Sequence, residues 1–411
     1  MKLSFPYGEE KIIFEIDERN VLDIIQPKKV LVGNEKEIIR HALENPVNSV
    51  TFKEFISDAK KILFIVNDGT RSTPTAKVID VIYDDIKEMN FQFIVAVGSH
   101  RKPTAEEFKR IFGKYHNIFR NNIIVHDAVN SEMINMGKTS LGTEVLINKL
   151  AVEADRIVVI SSIEPHYFAG YTGGRKSFFP GIAGYRTIEQ NHKLALNPQA
   201  AILKLEGNPI HEDMMEAAGK VKTNTFAILL VTDNEHCISS ASAGNIKDSF
   251  FASIPKADEM YISKVRGKAD IVVAIIEKPF DDDLYQSHKG IENARSILKK
   301  NGILILVSKC KNGIGKNEFY DLLNFCNSPG EVFKKIEENY VLGYHKAAKL
   351  ADFMQNHELW MVTDIPEEKL KKIFIRTFDS LKKAIDNALE LKGKNTKILF
   401  ILDAAVTVPK M

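Results

Sequence analysis

Five titratable side chains closely follow three apolar segments in the sequence. The segments are residues 61–66, 91–97 and 157–160, and the side chains that follow them are Asp68, Arg71, His100, Glu164 and His166. Polar residues end many strands, yet two histidines and an Asp/Arg pair in the same relative position favour one shared site. Because imidazole gains and loses a proton near neutral pH, the pattern indicates a crevice suited to acid–base chemistry.

The densest chemical segment is the glycine-rich stretch HYFAGYTGGRKSFFPG at residues 166–181. Residues 170–177 nearly match the phosphate-binding loop GxxxxGK[ST], but Arg175 replaces the second glycine and Pro180 would break the helix that must follow. A nucleoside triphosphatase is therefore not indicated. Lys176 lies between a double glycine and an apolar run. A partly desolvated lysine there is suited to be a nucleophile or covalent anchor, and an ordinary surface lysine is the alternative.

Three histidines near one crevice, His100, His166 and His192, invite a metal because neutral imidazole binds nickel, zinc, copper and iron. No local spacing such as HxxxH supports a three-histidine zinc site, so a metal does not follow from spacing alone. The triple aspartate at 281–283 has too few ligands for a cation loop and is typical of a solvated turn. Lys289 suits either a substrate carboxylate or solvent.

Composition excludes several function classes. The chain has 411 residues, 56 basic against 54 acidic, and a net charge of +2. With no long basic block, neither nucleic acid nor a membrane surface is an expected partner. Three cysteines without a CxxC pair argue against a disulfide scaffold or an iron–sulfur cluster. The apolar runs are strand-sized and the N-terminus lacks a signal peptide, so we expect a cytoplasmic protein.

Short apolar strands alternating with helical periodicity predict mainly parallel sheets covered on both faces, an α/β fold. Residues 2–5 and 11–16 predict an opening hairpin. Thr73 is predicted as the N-cap of a helix, and Thr104 with Glu107 forms a predicted capping box. Helices are also predicted over residues 194–203 and 210–218.

Two Rossmann-like α/β domains are predicted, with the active site in the cleft between them. Residues 1–263 form the catalytic and cofactor-binding domain, and residues 264–411 form a smaller one. The second set contains strands at 270–276 and 303–307 and a helix at 291–298. The sequence leaves open whether the last helix, 381–391, and the last strand, 397–402, return to the first domain.

The chain resembles the lactate racemase family. The motifs that carry the resemblance are DGTR at 68–71, GSHR at 98–101, HYFAGYTGGRK at 166–176, NH at 191–192 and YQSHKG at 285–290. They run in the family's order and span both predicted domains. Each motif alone is weak, and together they are specific.

The resemblance implies a nickel-pincer nucleotide, which is a pyridinium mononucleotide with two sulfur-containing arms. One arm would join Lys176 through a thioamide, and His192 would complete the coordination of nickel. The loop residues implied to contact the nucleotide are Thr172, Gly173, Gly174 and Ser177, and those of the second domain are Tyr285 and Gln286.

The resemblance also implies racemisation of a 2-hydroxy acid, with His100 and His166 as the two acid–base residues. Removing hydride together with the hydroxyl proton gives a flat 2-keto acid, and returning hydride to the other face inverts the centre. Arg71 and Lys289 would hold the substrate carboxylate, and Asp68 would orient a neighbour.

Gly69 departs from the lactate-specific pattern, which has histidine there, so the substrate is lactate or a related 2-hydroxy acid. Two alternatives remain at this stage: a nickel-nucleotide-binding protein without turnover, and a three-histidine metal-dependent hydrolase. The implied partners are a small-molecule substrate and the cofactor-synthesis enzymes. The oligomeric state stays open, and a homo-oligomer is compatible with the sequence.

Overall fold

A computed structural model describes residues 1–29, 33–71, 73–233 and 235–411. The chain forms two compact units. The N-terminal unit is Lys28–Met260, and the C-terminal unit combines Met1–Pro27 with Tyr261–Met411. Within the described ranges, no helix has the length and apolar character needed to cross a membrane.

The strands are, in chain order, β1 Lys2–Tyr7, β2 Glu10–Glu15, β3 Val21–Ile25, β4 Ile62–Asn67, β5 Phe91–Ala96, β6 Ile123–Val125, β7 Met133–Lys138, β8 Glu144–Asn148, β9 Arg156–Ser162, β10 Pro165–His166, β11 Gly170–Tyr171, β12 Asn224–Thr232, β13 Ile238–Asn245, β14 Ile262–Lys264, β15 Ala269–Ile275, β16 Leu298–Val307, β17 Glu358–Val362, β18 Arg376–Thr377, β19 Ile398–Ile401 and β20 Val408–Lys410.

The α-helices are α1 Glu35–Glu44, α2 Phe52–Ile56, α3 Thr75–Ile86, α4 Ala105–Phe112, α5 Tyr115–Ile118, α6 Lys149–Glu153, α7 Tyr185–Lys193, α8 Pro209–Lys220, α9 Ile246–Tyr261, α10 Leu284–Ala294, α11 Asn317–Asn324, α12 Glu331–Glu338, α13 Tyr344–Asn356, α14 Glu367–Lys371 and α15 Leu381–Lys392. Short 3-10 turns cover Glu18–Asn20, Arg120–Asn122, Gly174–Ser177, Leu194–Leu196 and Arg295–Ile297.

The main sheet of the N-terminal unit has the strand order β13-β12-β9-β4-β5-β6. β13 pairs antiparallel with β12, and the remaining pairs are parallel. The strands β4, β5 and β9 are buried almost throughout, as expected for a parallel sheet covered on both faces. Their carboxyl ends lie side by side, which places the loops after β4, β5 and β9 along one edge.

The C-terminal unit contains a parallel sheet in the order β18-β17-β16-β15-β19-β3. β3 pairs with β19, with Ile25 opposite Ile401. Residues 1–27 therefore belong to this unit, whereas the sequence analysis had assigned them to the first domain. The predicted opening hairpin is β1 and β2, which pair antiparallel. The last helix and strand, α15 and β19, also lie in this unit.

Two local predictions are wrong. Thr73 is not an N-cap, because α3 begins at Thr75 after Pro74 and has no side-chain cap. The Thr73 hydroxyl instead donates to Asn67 Oδ1. Residues 194–203 form only the 3-10 turn Leu194–Leu196 followed by loop. The capping box of Thr104 and Glu107 is confirmed at the start of α4.

Candidate active site

The turn after β4 places Asp68 beside His100, which follows β5. Asp68 Oδ2 lies 2.8 Å from His100 Nδ1, and Oδ1 accepts the hydroxyl of Thr70 at 2.7 Å. Burial raises the pKa of the Asp68 carboxyl, but the charge and hydrogen bond of His100, the Thr70 hydroxyl and the charge of Arg71 together hold it below its usual value. An ionised Asp68 accepts the Nδ1 proton, so the lone pair of neutral His100 is on Nε2.

Arg71 leaves the same turn and faces a buried carboxylate. Its Nη1 lies 3.9 Å from Glu164 Oε2, which is an ion pair beyond hydrogen-bonding distance. Glu164 Oε1 accepts the hydroxyl of Ser162 at 2.9 Å, so Glu164 is fixed by the end of β9. The Arg71 guanidinium makes no hydrogen bond within the described part of the chain, and its donors remain open to an anion.

The loop after β9 is held by its own backbone. At Gly173 φ is +79°, and a Cβ there would lie 2.3 Å from Ile163 Cδ1, so this position requires glycine. The Thr172 hydroxyl donates to Ser162 O at 2.9 Å, and the amide of Gly174 donates to Ser161 Oγ at 3.2 Å. The Thr172 hydroxyl and the Gly174 amide, which belong to the loop predicted to contact the nucleotide, therefore stabilise the conformation of that loop.

Lys176 borders a cavity of about 70 Å³ within the N-terminal unit. The cavity is lined by the strand-end and loop residues Asn67, Asp68, Arg71, Ala96, Val97, Gly98, Ser99, His100, Ser162, Thr172, Gly173, Lys176, Pro180, Gly181 and His192. Burial, assisted by the charges of Arg71 and Arg175, lowers the pKa of the Lys176 amine well below its usual value. Although part of the side chain remains accessible, the amine is a stronger nucleophile at neutral pH than an ordinary lysine.

His166 is buried in the short β10–β11 hairpin and is not among the residues lining this cavity. Its Nδ1 accepts the amides of Phe168 and Ala169 at 3.5 and 3.3 Å, which favours a neutral ring with its proton on Nε2. The ring of Phe168 lies 4.4 Å from that of His166 and 5.2 Å from that of His192. His166 is thus one aromatic ring away from the cavity.

Ser177 and Gly174 lie in the 3-10 turn that carries Lys176. The hydroxyl of Ser177 is buried without a hydrogen-bond partner in the ranges that the structure covers. A buried hydroxyl without a partner is costly, and a ligand oxygen or nitrogen would satisfy it.

The predicted residues of the C-terminal unit, Tyr285, Gln286 and Lys289, lie on the first turns of α10. Asp283 caps this helix by accepting the amide of Gln286 at 2.7 Å. The amine of Lys289 lies 3.6 Å from the centre of the Phe280 ring. In the triple aspartate, Asp282 pairs with Lys311, whose amine lies 3.2 Å away, so at least two of the three carboxylates have local structural partners.

Among the residues described, no group of three or more His, Cys, Asp and Glu side chains is placed to hold a metal ion. His100, His166 and His192 therefore do not form a three-histidine centre of their own.

Sequence reasoning placed Glu164 near the site without giving it a specific role, and it gave no role to Ser162 or Arg175. Glu164 faces Arg71, Ser162 connects Glu164 to Thr73 through its hydroxyl at 3.0 Å, and Arg175 fills the interior of the loop. Glu164 and Ser162 had a usable signal, because both follow the apolar core of β9. The signal for Arg175 was its position, because it replaces the second glycine of the phosphate-binding motif.

The fold and the site define an α/β enzyme with its candidate acid–base groups at the carboxyl edge of a mainly parallel sheet. Profiles of the "Lactate racemase N-terminal domain" and "Lactate racemase C-terminal domain" match residues 7–203 and 265–408. The chain belongs to the lactate racemase family, a family of isomerases.

Relatives with solved structures or curated names agree with this assignment. The lactate racemase of Thermoanaerobacterium thermosaccharolyticum is 33% identical over 99% of this chain and 98% of its own length. That of Lactiplantibacillus plantarum is 28% identical over 99% of both chains. The apoprotein structure of the Thermoanaerobacterium enzyme matches with a TM-score of 0.92 at 32% identity over the full length of both. A Thermotoga maritima protein shares the fold, with a TM-score of 0.71 at 18% identity over 93% of this chain and all of its own.

Proposed function

We propose that this chain interconverts the stereoisomers of lactate or a related 2-hydroxy acid. The observation that carries the proposal is the Asp68-held His100, whose Nε2 carries a lone pair and which lines the same cavity as Arg71 and Lys176. A base, an anion-binding guanidinium and a desolvated amine in one small cavity suit a reaction on a small carboxylic acid.

Arg71 binds the substrate carboxylate in this proposal. Its guanidinium has free donors and is held in place by the Glu164 charge at 3.9 Å. Two parallel hydrogen bonds from arginine to carboxylate fix the acid's orientation as well as its position. Lys289 of α10 is proposed as the second cation for this group.

His100 and His166 transfer the hydroxyl proton on opposite faces of C2. His100 Nε2 takes that proton from one stereoisomer, and Asp68 stabilises the imidazolium that forms. His166 begins as a hydrogen-bond donor from Nε2, because the amides of Phe168 and Ala169 point at its Nδ1. To return a proton on the other face, His166 must first be an imidazolium, which requires Nδ1 to be released from those amides. It is then left neutral, so one turnover moves one proton onto His100 and one proton off His166.

The residues present fit the cofactor that the family implies. Lys176 offers a desolvated amine at the cavity, Ser177 offers a buried hydroxyl without a partner, and His192 lines the same cavity. Lys176 would hold the nickel-pincer nucleotide covalently and His192 would bind its nickel. The loop residues Thr172, Gly173 and Gly174, and Tyr285 and Gln286 of α10, would contact the nucleotide. When bound, this group supplies the acceptor for the hydride from C2.

The test is co-expression with the cofactor-synthesis enzymes, followed by intact-mass analysis and a chirality assay over a panel of 2-hydroxy acids. We expect an adduct of several hundred daltons and racemisation of at least one acid. His100→Ala and His166→Ala should keep the adduct and lose racemisation, and Lys176→Ala should lose the adduct. An adduct without turnover on any acid would favour the nucleotide-binding alternative, and an adduct on Lys176→Ala would refute the anchoring role.

A further inference from the structure

The side chain of Arg175 points into the loop that connects His166 to Lys176, and it is 2% exposed. Its guanidinium donates to a set of backbone carbonyl groups, all within the preceding six residues. The acceptors are Ala169 O at 2.9 Å, Tyr171 O at 3.0 Å, Gly173 O at 3.3 Å and Thr172 O at 3.4 Å. One planar group thereby ties together the backbone of four residues.

The charge of Arg175 has no carboxylate partner in the described ranges, and the ring of Phe250 lies 4.1 Å from its guanidinium carbon. Burial alone lowers the pKa of Arg175 to about 9. A buried cation without a counter-ion is costly unless oriented dipoles solvate it. The four carbonyl oxygens supply those dipoles, so the arginine and the loop conformation depend on each other.

Lysine cannot replace this arrangement, because its ammonium is a compact point charge whereas the guanidinium presents a rigid fork of donors. The structure thus explains why arginine occupies the position at which a phosphate-binding loop would have glycine. The side chain is used inside the loop, and the next residue, Lys176, lines the cavity.

We propose that Arg175 is a positioning residue that fixes the backbone between His166 and Lys176, so that the anchoring amine meets the cofactor in a single orientation. The role of Lys176 in this inference rests on the proposed function. The effect on the loop itself does not, and it can be measured on the protein without any cofactor.

The experiment compares Arg175→Met, which keeps the length and removes the donors, with Arg175→Lys. Phe250→Leu removes the ring and keeps the four hydrogen bonds. Arg156→Met is the matched control, since Arg156 also lies over a phenylalanine ring, Phe55, at 5.7 Å. Amide hydrogen exchange of residues 166–177 is measured on the apoprotein, and adduct occupancy is measured by intact mass after co-expression.

We expect both Arg175 variants to speed exchange in residues 168–177 and to lower adduct occupancy, each by about tenfold or more. Phe250→Leu and Arg156→Met should stay within about twofold of wild type in both measurements. Wild-type exchange in the Arg175 variants would overturn the proposal. The proposal would also be overturned if Phe250→Leu had the same melting temperature as the Arg175 variants and exchanged equally fast. The faster exchange would then reflect general destabilisation of the protein.

Arg175→Lys carries the same test if Arg175→Met does not fold. A wild-type chain that takes up no adduct would contradict the proposed function, while the exchange comparison would still decide the role of Arg175.

Discussion

Asp68→Asn is the perturbation that tests the proposed acid–base machinery most directly. It keeps the shape of a buried side chain and removes its charge. The amide nitrogen that replaces one oxygen can donate to His100 Nδ1, which would move the ring proton to Nε2 and remove the lone pair proposed to accept the substrate's hydroxyl proton. The variant is therefore expected to fold and to lose catalysis.

The expected loss of activity follows from the role of the Asp68–His100 hydrogen bond in acid–base catalysis. Positioned general acid–base catalysis contributes about 10²–10⁴-fold, or about 2.7–5.4 kcal/mol of barrier, and Asp68→Asn should remove most of it. The stability change is smaller, about 1–2 kcal/mol, because the His100 side chain is 38% exposed and solvent weakens the pair. Since the folded-state pKa of Asp68 is lowered, this stability is present above the carboxyl's usual pKa and is lost as the pH falls through the folded value.

The assay measures kcat and KM for racemisation in both directions on the loaded enzyme, with Asp58→Asn as a control. Asp58 is an exposed carboxylate of the same unit, paired with Arg156. Urea unfolding at pH 7 and pH 3 gives the stability difference, which should shrink at the lower pH. Two results would refute the reasoning: a kcat for Asp68→Asn within twofold of wild type, or nitrogen NMR showing that His100 is still protonated on Nδ1 in the Asp68→Asn variant.

Three further predictions concern the same unit. Arg71→Met should raise KM for the substrate by about 10²-fold with a smaller change in kcat, measured by steady-state kinetics, and an unchanged KM would contradict carboxylate binding. Gly69→His should destabilise the chain by about 1–3 kcal/mol in urea unfolding, because a Cβ at this position would lie 2.7 Å from Glu107 Cδ. The control Gly219→Ala, at a helix position where a Cβ meets open space, should not destabilise it. Equal stability of the two variants would be inconsistent with this packing. Because the folded-state pKa of Lys176 is lowered, the free energy of unfolding should rise with pH between that pKa and the unfolded value near 10.4. Lys176→Met should remove this rise. If the stability of the wild-type apoprotein rises no faster than that of the variant over this range, the amine is solvated.

The parts of the site set by strand ends could be predicted from the sequence. Apolar runs identified β4, β5 and β9, and the rule for parallel sheets then brought Asp68, His100 and the loop bearing Lys176 to one edge. These inferences depend only on local periodicity and sheet direction.

The parts set by long-range pairing could not. Nothing in residues 21–25 shows that β3 joins β19 at the far end of the chain, and a boundary drawn along the sequence therefore misassigned the first 27 residues. Threonine is a common N-cap residue, but the hydroxyl of Thr73 donates to Asn67 and to Ser162, which lies 89 residues away in the chain. The inward direction of Arg175 depends on carbonyl groups that converge only when the loop is closed.

The pairing of β3 with β19 has a consequence during synthesis. The chain emerges from its N-terminus, so β3 must wait until nearly four hundred residues have been made before its neighbour in the sheet exists. The intervening unit can complete its own sheet first, since all strands of that sheet are already present. A nascent chain therefore carries an unpaired, apolar N-terminal strand for most of its translation, and a fragment that starts after residue 27 would leave the β19 edge open to pairing with another molecule.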